Sequence, residues 1–242
     1  KIHFLKIINP TLAFQVGDIR RLPILQFGEI ENIESICKKA ISLSRIDWDS
    51  FETSWDFKYF PLIKTDFKNG LLEESFKNWS NRCDFNIKEM QHLETENNRL
   101  FIEAYELQDE LTPEVLEDQI TLSRSDKTEE IKRLISYSTG CIMGRYSLDE
   151  QGLIYAHSNN ERFNASKYKT FPADDDGIIT LSDMEDLMIR DDIANRFEEF
   201  LIAVWGKETL SENLKFVADT LGSKTDELPK ETIRRWISTN FF

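Results

Sequence analysis

The sequence predicts a mainly α-helical protein with a small β-structured segment at its N-terminus. From about residue 29, apolar residues recur every three or four positions, which is the spacing of amphipathic helices. Gly206 and Gly222 follow two such stretches and are natural helix ends. The first 26 residues differ, because Asn-Pro and Gly-Asp steps break short apolar runs there, which is typical of strands and turns.

The first segment, residues 1–26, is predicted to hold two short strands. The first apolar run ends at Pro10, and the second, residues 12–16, ends at Gly17. The chain then leaves this small β region through a basic stretch that ends at Pro23.

Residues 27–110 are predicted to form a helical spacer. A first helix begins near Glu29, and Pro61 interrupts the helical pattern. A long helix begins near Leu71, with charged and amide residues between its apolar positions. This pattern is typical of an exposed helical arm or of an antiparallel helix pair.

An aromatic-rich stretch lies between these two helices. Its main members are Trp48, Trp55, Phe57 and Tyr59. We expect them to pack against the long helix, because few lysines or arginines accompany them. Stacking on unpaired nucleic acid bases is the alternative.

Residues 111–242 are predicted to form a C-terminal helical domain. Thr112 is placed to cap one helix, and residues 128–146 form another that begins at Asp126 or Thr128. Gly140 and Gly144 are four residues apart, so we expect both on one helix face, closely packed against another backbone.

Three further helices are predicted in this domain, at residues 182–205, 211–221 and 230–240. Asp191 and Asp192 fall inside the first of them. We interpret this acidic pair as a solvated face or as a partner for Arg190 and Arg196.

The charge of the chain is uneven. Its formal net charge is −14, which disfavours a surface that mainly binds nucleic acid phosphates. Residues 1–26 carry four basic residues and one acidic residue, so any DNA contact is expected there, at Lys6, Arg20 and Arg21. A solvated turn explains these residues nearly as well. The acidic residues in the rest of the chain form either a solvated surface or a face that binds a basic protein partner.

Four consecutive residues, Asp174-Asp175-Asp176-Gly177, suggest a hard cation such as Mg²⁺ or Ca²⁺. An EF-hand loop starting at Asp174 would place Ile178 at a ligand position and Ile179 where glycine is required. A turn is therefore favoured over a metal site.

No other set of residues has the spacing of a reactive site. His3, His92 and His157 lie far apart without cysteine partners, which disfavours zinc. Ser138 and Cys141 lie in an apolar helix without a nearby base that would activate them.

The cellular context is also constrained. Three scattered cysteines suit a reducing compartment, and the sequence has no apolar run of membrane-spanning length and no visible signal peptide. We therefore expect a cytoplasmic protein without a membrane contact. The chain lacks an initiator methionine and opens in a predicted strand, from which we expect an excised fragment.

Seven strings carry a family resemblance: residues 14–24, 52–57, 101–115, 135–155, 171–181, 192–201 and 231–242. In this order they resemble the C-terminal region of the PglX family, the adenine-specific DNA methyltransferases of BREX phage-defence systems. The first string resembles the exit from that family's target-recognition domain, as also found in type IIG restriction–methylation fusions. The second and third resemble the following linker and the end of a long helical spacer.

The resemblance implies a larger enzyme that uses S-adenosylmethionine to methylate adenine N6 in a short DNA site. Such enzymes need an Asp/Asn-Pro-Pro-aromatic loop, whereas the nearest string here, Asn9-Pro10-Thr11-Leu12, lacks the second proline and the ring. A glycine-rich cofactor loop after a strand is also missing. We therefore assign no catalytic, cofactor-binding or metal-binding residue, and whether the chain is itself an enzyme stays open.

The resulting hypothesis is a non-catalytic methyltransferase fragment that supports DNA target recognition and partner docking in phage defence. Its expected partners are duplex DNA, through the longer enzyme, and other BREX proteins. A protein–protein interaction module without a DNA role and a metal-dependent nuclease or hydrolase domain are the alternatives.

Overall fold

The computed structural model describes residues 15–21, 30–155, 162–181 and 192–240. Within them the protein is mainly helical, as predicted. The α-helices cover Val16–Arg20 (α1), Ile30–Trp48 (α2), Leu72–Ala104 (α3), Lys127–Ile142 (α4), Ile193–Trp205 (α5), Leu210–Leu221 (α6) and Pro229–Asn240 (α7). Short 3-10 helices lie at Pro61–Ile63, Glu117–Gln119, Ala165–Lys167 and Lys207–Thr209.

The predicted N-terminal strand is wrong at its end, because Val16 begins a helix. The Asp18 carboxylate accepts a hydrogen bond from the Gln15 backbone N–H at 3.0 Å, which ties the first turn of α1 together. No strand forms in the described ranges, where the β pairing is a single bridge between Thr180 and Asp192. The other residues of the predicted β segment lie outside those ranges.

The helices α2 and α3 form an antiparallel pair. Ile36 of α2 clusters with Leu93 and Leu100 of α3. Leu43, two turns later on α2, also contacts the cluster of Ile87 and Met90, which lie earlier on α3. Of the two alternatives left open by the sequence, the structure shows the antiparallel helix pair, and no continuous helix passes through Pro61, as predicted.

The helix predicted at Thr112 does not form. The chain there runs along α3 without helical hydrogen bonds, because side chains of α3 take up its backbone groups. Gln91 donates to the Val115 carbonyl at 2.7 Å, and Asn98 donates to the Pro113 carbonyl at 3.1 Å. These contacts hold the segment in place of the predicted helix.

The main hydrophobic core lies between the four C-terminal helices, α4 to α7, and the first turns of α3. Buried polar contacts fix α3 to the others. Asn213 accepts from the Leu72 backbone N–H at 2.9 Å, and the Trp205 indole donates to Ser75 at 3.1 Å. The core thus draws side chains from both sides of residue 110, and the domain boundary there stays a prediction.

The helix ends mostly follow local signals. Asp126 caps α4 by accepting from the Glu129 backbone N–H at 2.9 Å, and Gly206 and Gly222 end α5 and α6 with φ angles of 93° and 90°. The end of α4 is an exception, because it stops at Ile142 instead of residue 146.

The two glycines of this region do not share a helix face. Gly144 lies in the turn after α4 with a φ of 71°, a left-handed conformation that favours glycine. Gly140 lies inside α4 and faces the ring of Tyr146, which folds back over it. The close neighbour of Gly140 is therefore an aromatic side chain and not another backbone.

Changing Gly140 to alanine is expected to lower the free energy of unfolding by about 1–3 kcal/mol. A Cβ atom there would lie 2.6 Å from Cδ2 of Tyr146, whose buried ring stacks on Tyr137 and cannot retreat freely. Urea unfolding followed by circular dichroism measures the change. Gly70→Ala is the control, because nothing lies within 4 Å of a Cβ at Gly70. A Gly140→Ala variant as stable as the parent would contradict this packing.

The interpretation of Asp192 as a solvated residue or a partner for Arg190 and Arg196 is wrong. Asp192 is only 3% exposed and lies at the cap of α5, where its carboxylate accepts from the Asn195 backbone N–H at 3.3 Å. Arg234 of α7 donates to the same carboxylate at 2.7 Å. Asp191 and Arg190 lie outside the described residues.

None of the helices in the described ranges combines the length and the apolar character that a membrane crossing requires.

Candidate functional site

A tight loop after α2 turns one tryptophan outward. Ser54 is buried, and its hydroxyl donates to the Asp49 carboxylate at 2.7 Å and accepts from the Asp56 backbone N–H at 3.1 Å. This arrangement bends the chain so that Trp55 is fully exposed, at 101% of its reference area. The next aromatic residue, Phe57, points the opposite way into the core.

A second segment, after α4, is attached to this loop. The Gly152 backbone N–H donates to the Lys58 carbonyl at 2.9 Å, and Ile154 donates to the Arg145 carbonyl at the same distance. Gly152 has a φ of 74°, which a side chain would strain. The two segments therefore form facing walls.

A cleft of about 1050 Å³ lies between these walls. Its lining combines aromatic, basic and acidic side chains with short stretches of backbone. The lining residues are Glu52, Thr53, Ser54, Trp55, Asp56, Phe57, Lys58, Arg145, Tyr146, Glu150, Gln151, Gly152, Leu153, Ile154 and Lys167. We call this space the Trp55 cleft.

The floor of the Trp55 cleft is formed by packed aromatic rings. The ring of Tyr146 stacks on Tyr137 with centroids 5.1 Å apart and meets the edge of Phe57 at 5.5 Å. Burial raises the pKa of the Glu52 carboxyl, while the neighbouring Tyr146 hydroxyl and Arg145 guanidinium oppose the rise. Burial, reinforced by the Glu52 charge, raises the pKa of Tyr146 to about 12.

A buried ion pair supports the wall that carries Trp55. Arg133 donates to both carboxylate oxygens of Glu130, at 2.9 and 3.1 Å, and to the Ser50 carbonyl. Its guanidinium lies 4.2 Å from the ring centroid of Phe51, and the Trp79 indole donates to Glu130 at 3.1 Å. Helices α3 and α4 are thereby joined to the start of the loop.

The rim of the cleft carries both signs of charge. Lys58 is exposed and forms no ion pair with any residue that the structure describes. Arg145 is also exposed and lies against the Tyr146 ring, 5.5 Å from its centroid. Glu150 faces Lys167 at 3.8 Å, so these two charges partly cancel.

The structure describes two of the three residues that the sequence analysis predicts to contact DNA. Arg20 ends α1 and Arg21 lies in the following turn, and both are exposed. Neither is among the residues that line the Trp55 cleft. Lys6 lies outside the described residues, so its proximity to the two arginines stays a prediction.

The aspartate-rich string forms a turn, as favoured above. The Asp174 carboxylate accepts from the Gly177 backbone N–H at 2.9 Å, and Asp176 accepts from Ile178 at 2.8 Å. Within the described part of the chain, no three side chains of His, Cys, Asp or Glu converge in a manner that could hold a metal ion.

Other candidate reactive groups lie in apolar surroundings. Burial raises the pKa of Cys83 to about 12 and raises that of Cys141 further, which keeps both thiols protonated. Ser138 is buried and donates to the Ile135 carbonyl within its own helix. Gly140 is covered by a ring, so it cannot form a loop for S-adenosylmethionine.

The prediction that the aromatic stretch packs against α3 is only partly correct. Phe57 is buried in the main core, whereas Trp48 and Trp55 are exposed. Sequence reasoning did not foresee that Arg145 and Lys58 would line the same cleft, because they are 87 residues apart. The resemblance marked residues 52–57 only as a linker.

No protein-family model matches the chain. It is 39% identical over 99% of its length to the adenine-specific methyltransferase PglX of Lacticaseibacillus casei (strain Zhang). It is 38% identical over 98% of its length to the adenine-specific methyltransferase BrxX of Escherichia coli O9:H4 (strain HS). The chain spans 20% and 21% of these two relatives. Along nearly its whole length, the chain is thus similar to a C-terminal region of adenine-specific methyltransferases of the PglX and BrxX kind.

Proposed function

We propose that this region is a non-catalytic part of a BREX-type, S-adenosylmethionine-dependent enzyme that methylates adenine N6 in duplex DNA. It supports the target-recognition part of that enzyme on the duplex and offers a docking face to other defence proteins in the cytoplasm. The observation that carries the proposal is the similarity over 99% and 98% of the chain to two adenine-specific methyltransferases, of which it spans only about a fifth.

The contribution of the region to the reaction is positioning. Its sequence lacks the Asp/Asn-Pro-Pro-aromatic loop that holds a target amine, so methyl transfer is assigned to the rest of the longer enzyme. A stiff support keeps the bound duplex near the reacting groups and lowers the entropic cost of presenting one adenine. The 33-residue helix α3, joined to both the main core and α2, suits such a support.

Contact with DNA is assigned to the basic N-terminal segment. Changing Arg20 and Arg21 together to alanine is expected to reduce the slope of log affinity against log salt by about 1.8, since each phosphate contact contributes about 0.9. Fluorescence anisotropy of a labelled duplex, between about 50 and 200 mM salt, measures the slope.

The matched control changes Lys38 and Lys39 of α2, which are equally exposed and adjacent in sequence. We expect the slope to be unchanged in this variant. Absence of duplex binding by the parent chain at low salt would contradict the DNA role. Methyl transfer from S-adenosylmethionine by this chain alone would contradict the non-catalytic assignment.

A docking face is supported by exposed apolar side chains in the loops after α4. Tyr155 and Phe163 contact each other edge to face, with centroids 5.9 Å apart, and both remain exposed. Phe163 also stacks on Tyr168 at 5.3 Å, which fixes its orientation. Exposed aromatic groups held in place are typical of protein interfaces. This observation favours the interaction module as the second candidate function.

A further inference from the structure

We propose that the Trp55 cleft binds one unpaired nucleobase of a DNA strand, together with its flanking phosphates. The proposal rests on the DNA role given above and adds a site distinct from Arg20 and Arg21. Three observations carry it: a fully exposed tryptophan on a hydrogen-bonded loop, an exposed lysine three positions later that forms no ion pair with the described residues, and a cleft large enough for a nucleotide.

The indole of Trp55 has the properties of a stacking platform. Its side chain is fully exposed, so a base can reach it without displacing protein contacts. The loop beneath it is held by Ser54, whose hydroxyl bonds to Asp49 and to the Asp56 backbone, and by Phe57 in the core. Little conformational freedom of the backbone is therefore lost on binding, which favours affinity. A base stacks on such a ring regardless of its identity.

The lining of the cleft includes a cation, Lys58, that is available to a phosphate. Two of the cleft carboxylates are partly offset: Tyr146 and Arg145 oppose the rise that burial causes in the pKa of Glu52, and Glu150 faces Lys167 at 3.8 Å. Asp56 is exposed at the rim and opposes a phosphate. Lys58 forms no ion pair with the described residues, and it lies three positions after Trp55.

The second basic group comes from the opposite wall. Arg145 is exposed, rests against the Tyr146 ring and lines the same cleft as Lys58. A strand whose base stacks on Trp55 would place its two neighbouring phosphates towards these two cations. The volume of about 1050 Å³ exceeds the lower range of ligand pockets, about 300 Å³, and accommodates a nucleotide.

The test compares two labelled hairpin duplexes that differ by one extrahelical adenine. Anisotropy titrations with the complete 242-residue chain are expected to show tighter binding to the bulged duplex. Trp55→Ala is expected to weaken bulge binding roughly 5- to 150-fold, the range for loss of one stacked base, and to leave paired-duplex binding unchanged. Trp55→Phe is expected to retain most of the affinity.

The control is Trp48→Ala, which removes an exposed tryptophan from α2 outside the cleft and should leave both affinities unchanged. The outcomes separate the two proposals. Binding to paired duplex without a Trp55-dependent preference for the bulge overturns the cleft site alone, whereas bulge binding without paired-duplex binding overturns the duplex role alone. Trp55-dependent binding of an arginine-rich peptide, without bulge binding, would identify a peptide site instead and overturn the proposal.

Discussion

Replacing Arg133 by methionine is expected to lower the free energy of unfolding by about 3–5 kcal/mol. Glu130 is only 4% exposed, and without the guanidinium its carboxylate would keep only the Trp79 indole as a partner from α3. The change also removes the bond to the Ser50 carbonyl at the base of the Trp55 loop. Urea unfolding at neutral pH measures the loss.

The pH dependence of this variant follows from the same carboxyl. Burial already raises the pKa of Glu130, and the loss of Arg133 removes the main opposing charge. A raised pKa means that the folded state holds the proton more tightly than the unfolded chain. The difference in the free energy of unfolding between the parent protein and Arg133→Met should therefore become smaller as the pH falls through the raised pKa of Glu130 towards 4.5.

Two further variants test the origin of the loss. Lys132→Met breaks an exposed pair with Glu129 and is expected to cost about 1 kcal/mol or less. The double change of Glu130 to glutamine and Arg133 to methionine leaves no buried charge and should recover part of the stability. A cost for Arg133→Met as small as that of Lys132→Met would contradict the buried-pair explanation.

Replacing Arg234 by methionine is expected to produce a loss of similar size, about 3–5 kcal/mol, at the other end of the core. It removes the cation that faces Asp192 at 2.7 Å, in a pair whose side chains are 9% and 4% exposed. The carboxylate would remain buried at the cap of α5. Thermal unfolding should show a melting temperature lower by roughly 6–20 °C, for a protein of this size.

The neighbouring Arg235 provides the matched control. Its pair with Glu227 is partly exposed to water, and the guanidinium holds the pKa of Glu227 at about 2. Arg235→Met is expected to lower the melting temperature much less than Arg234→Met does, because solvent screens such pairs. Equal losses for the two arginine variants would show that burial does not set the strength of the Asp192 contact.

Local signals predicted the helices well. Asp126 begins α4, and the two glycines after α5 and α6 end those helices. Each acts on backbone groups a few residues away, so these helix ends can be predicted from sequence alone. The predicted helix at Thr112 failed because side chains of α3, more than ten residues away, compete for its backbone groups. At Val16, the end of the predicted second strand, a helix begins instead, and a local contact between Asp18 and the Gln15 backbone ties its first turn.

The candidate site was less accessible to sequence reasoning. Aromatic character alone does not decide whether Trp55 faces the core or the solvent, because its loop has no helical or strand period. The outward direction follows from the contact between Ser54 and Asp49. The opposite wall, which carries Arg145, meets the loop through residues far apart in sequence: Gly152 bonds to the Lys58 carbonyl, and the Tyr146 ring contacts Phe57. Such long-range pairing leaves no local pattern.

The uninterrupted length of α3 has a mechanical consequence. Its first turns are embedded in the main core, and its later turns pair with α2. An α-helix advances about 1.5 Å and turns about 100° per residue. The 33 residues of α3 therefore form a helix about 50 Å long. Inserting two residues at the midpoint of α3 would rotate one end of the helix by about 200° about the helix axis relative to the other end. The angular setting of the two halves is therefore encoded in the residue count of a single helix.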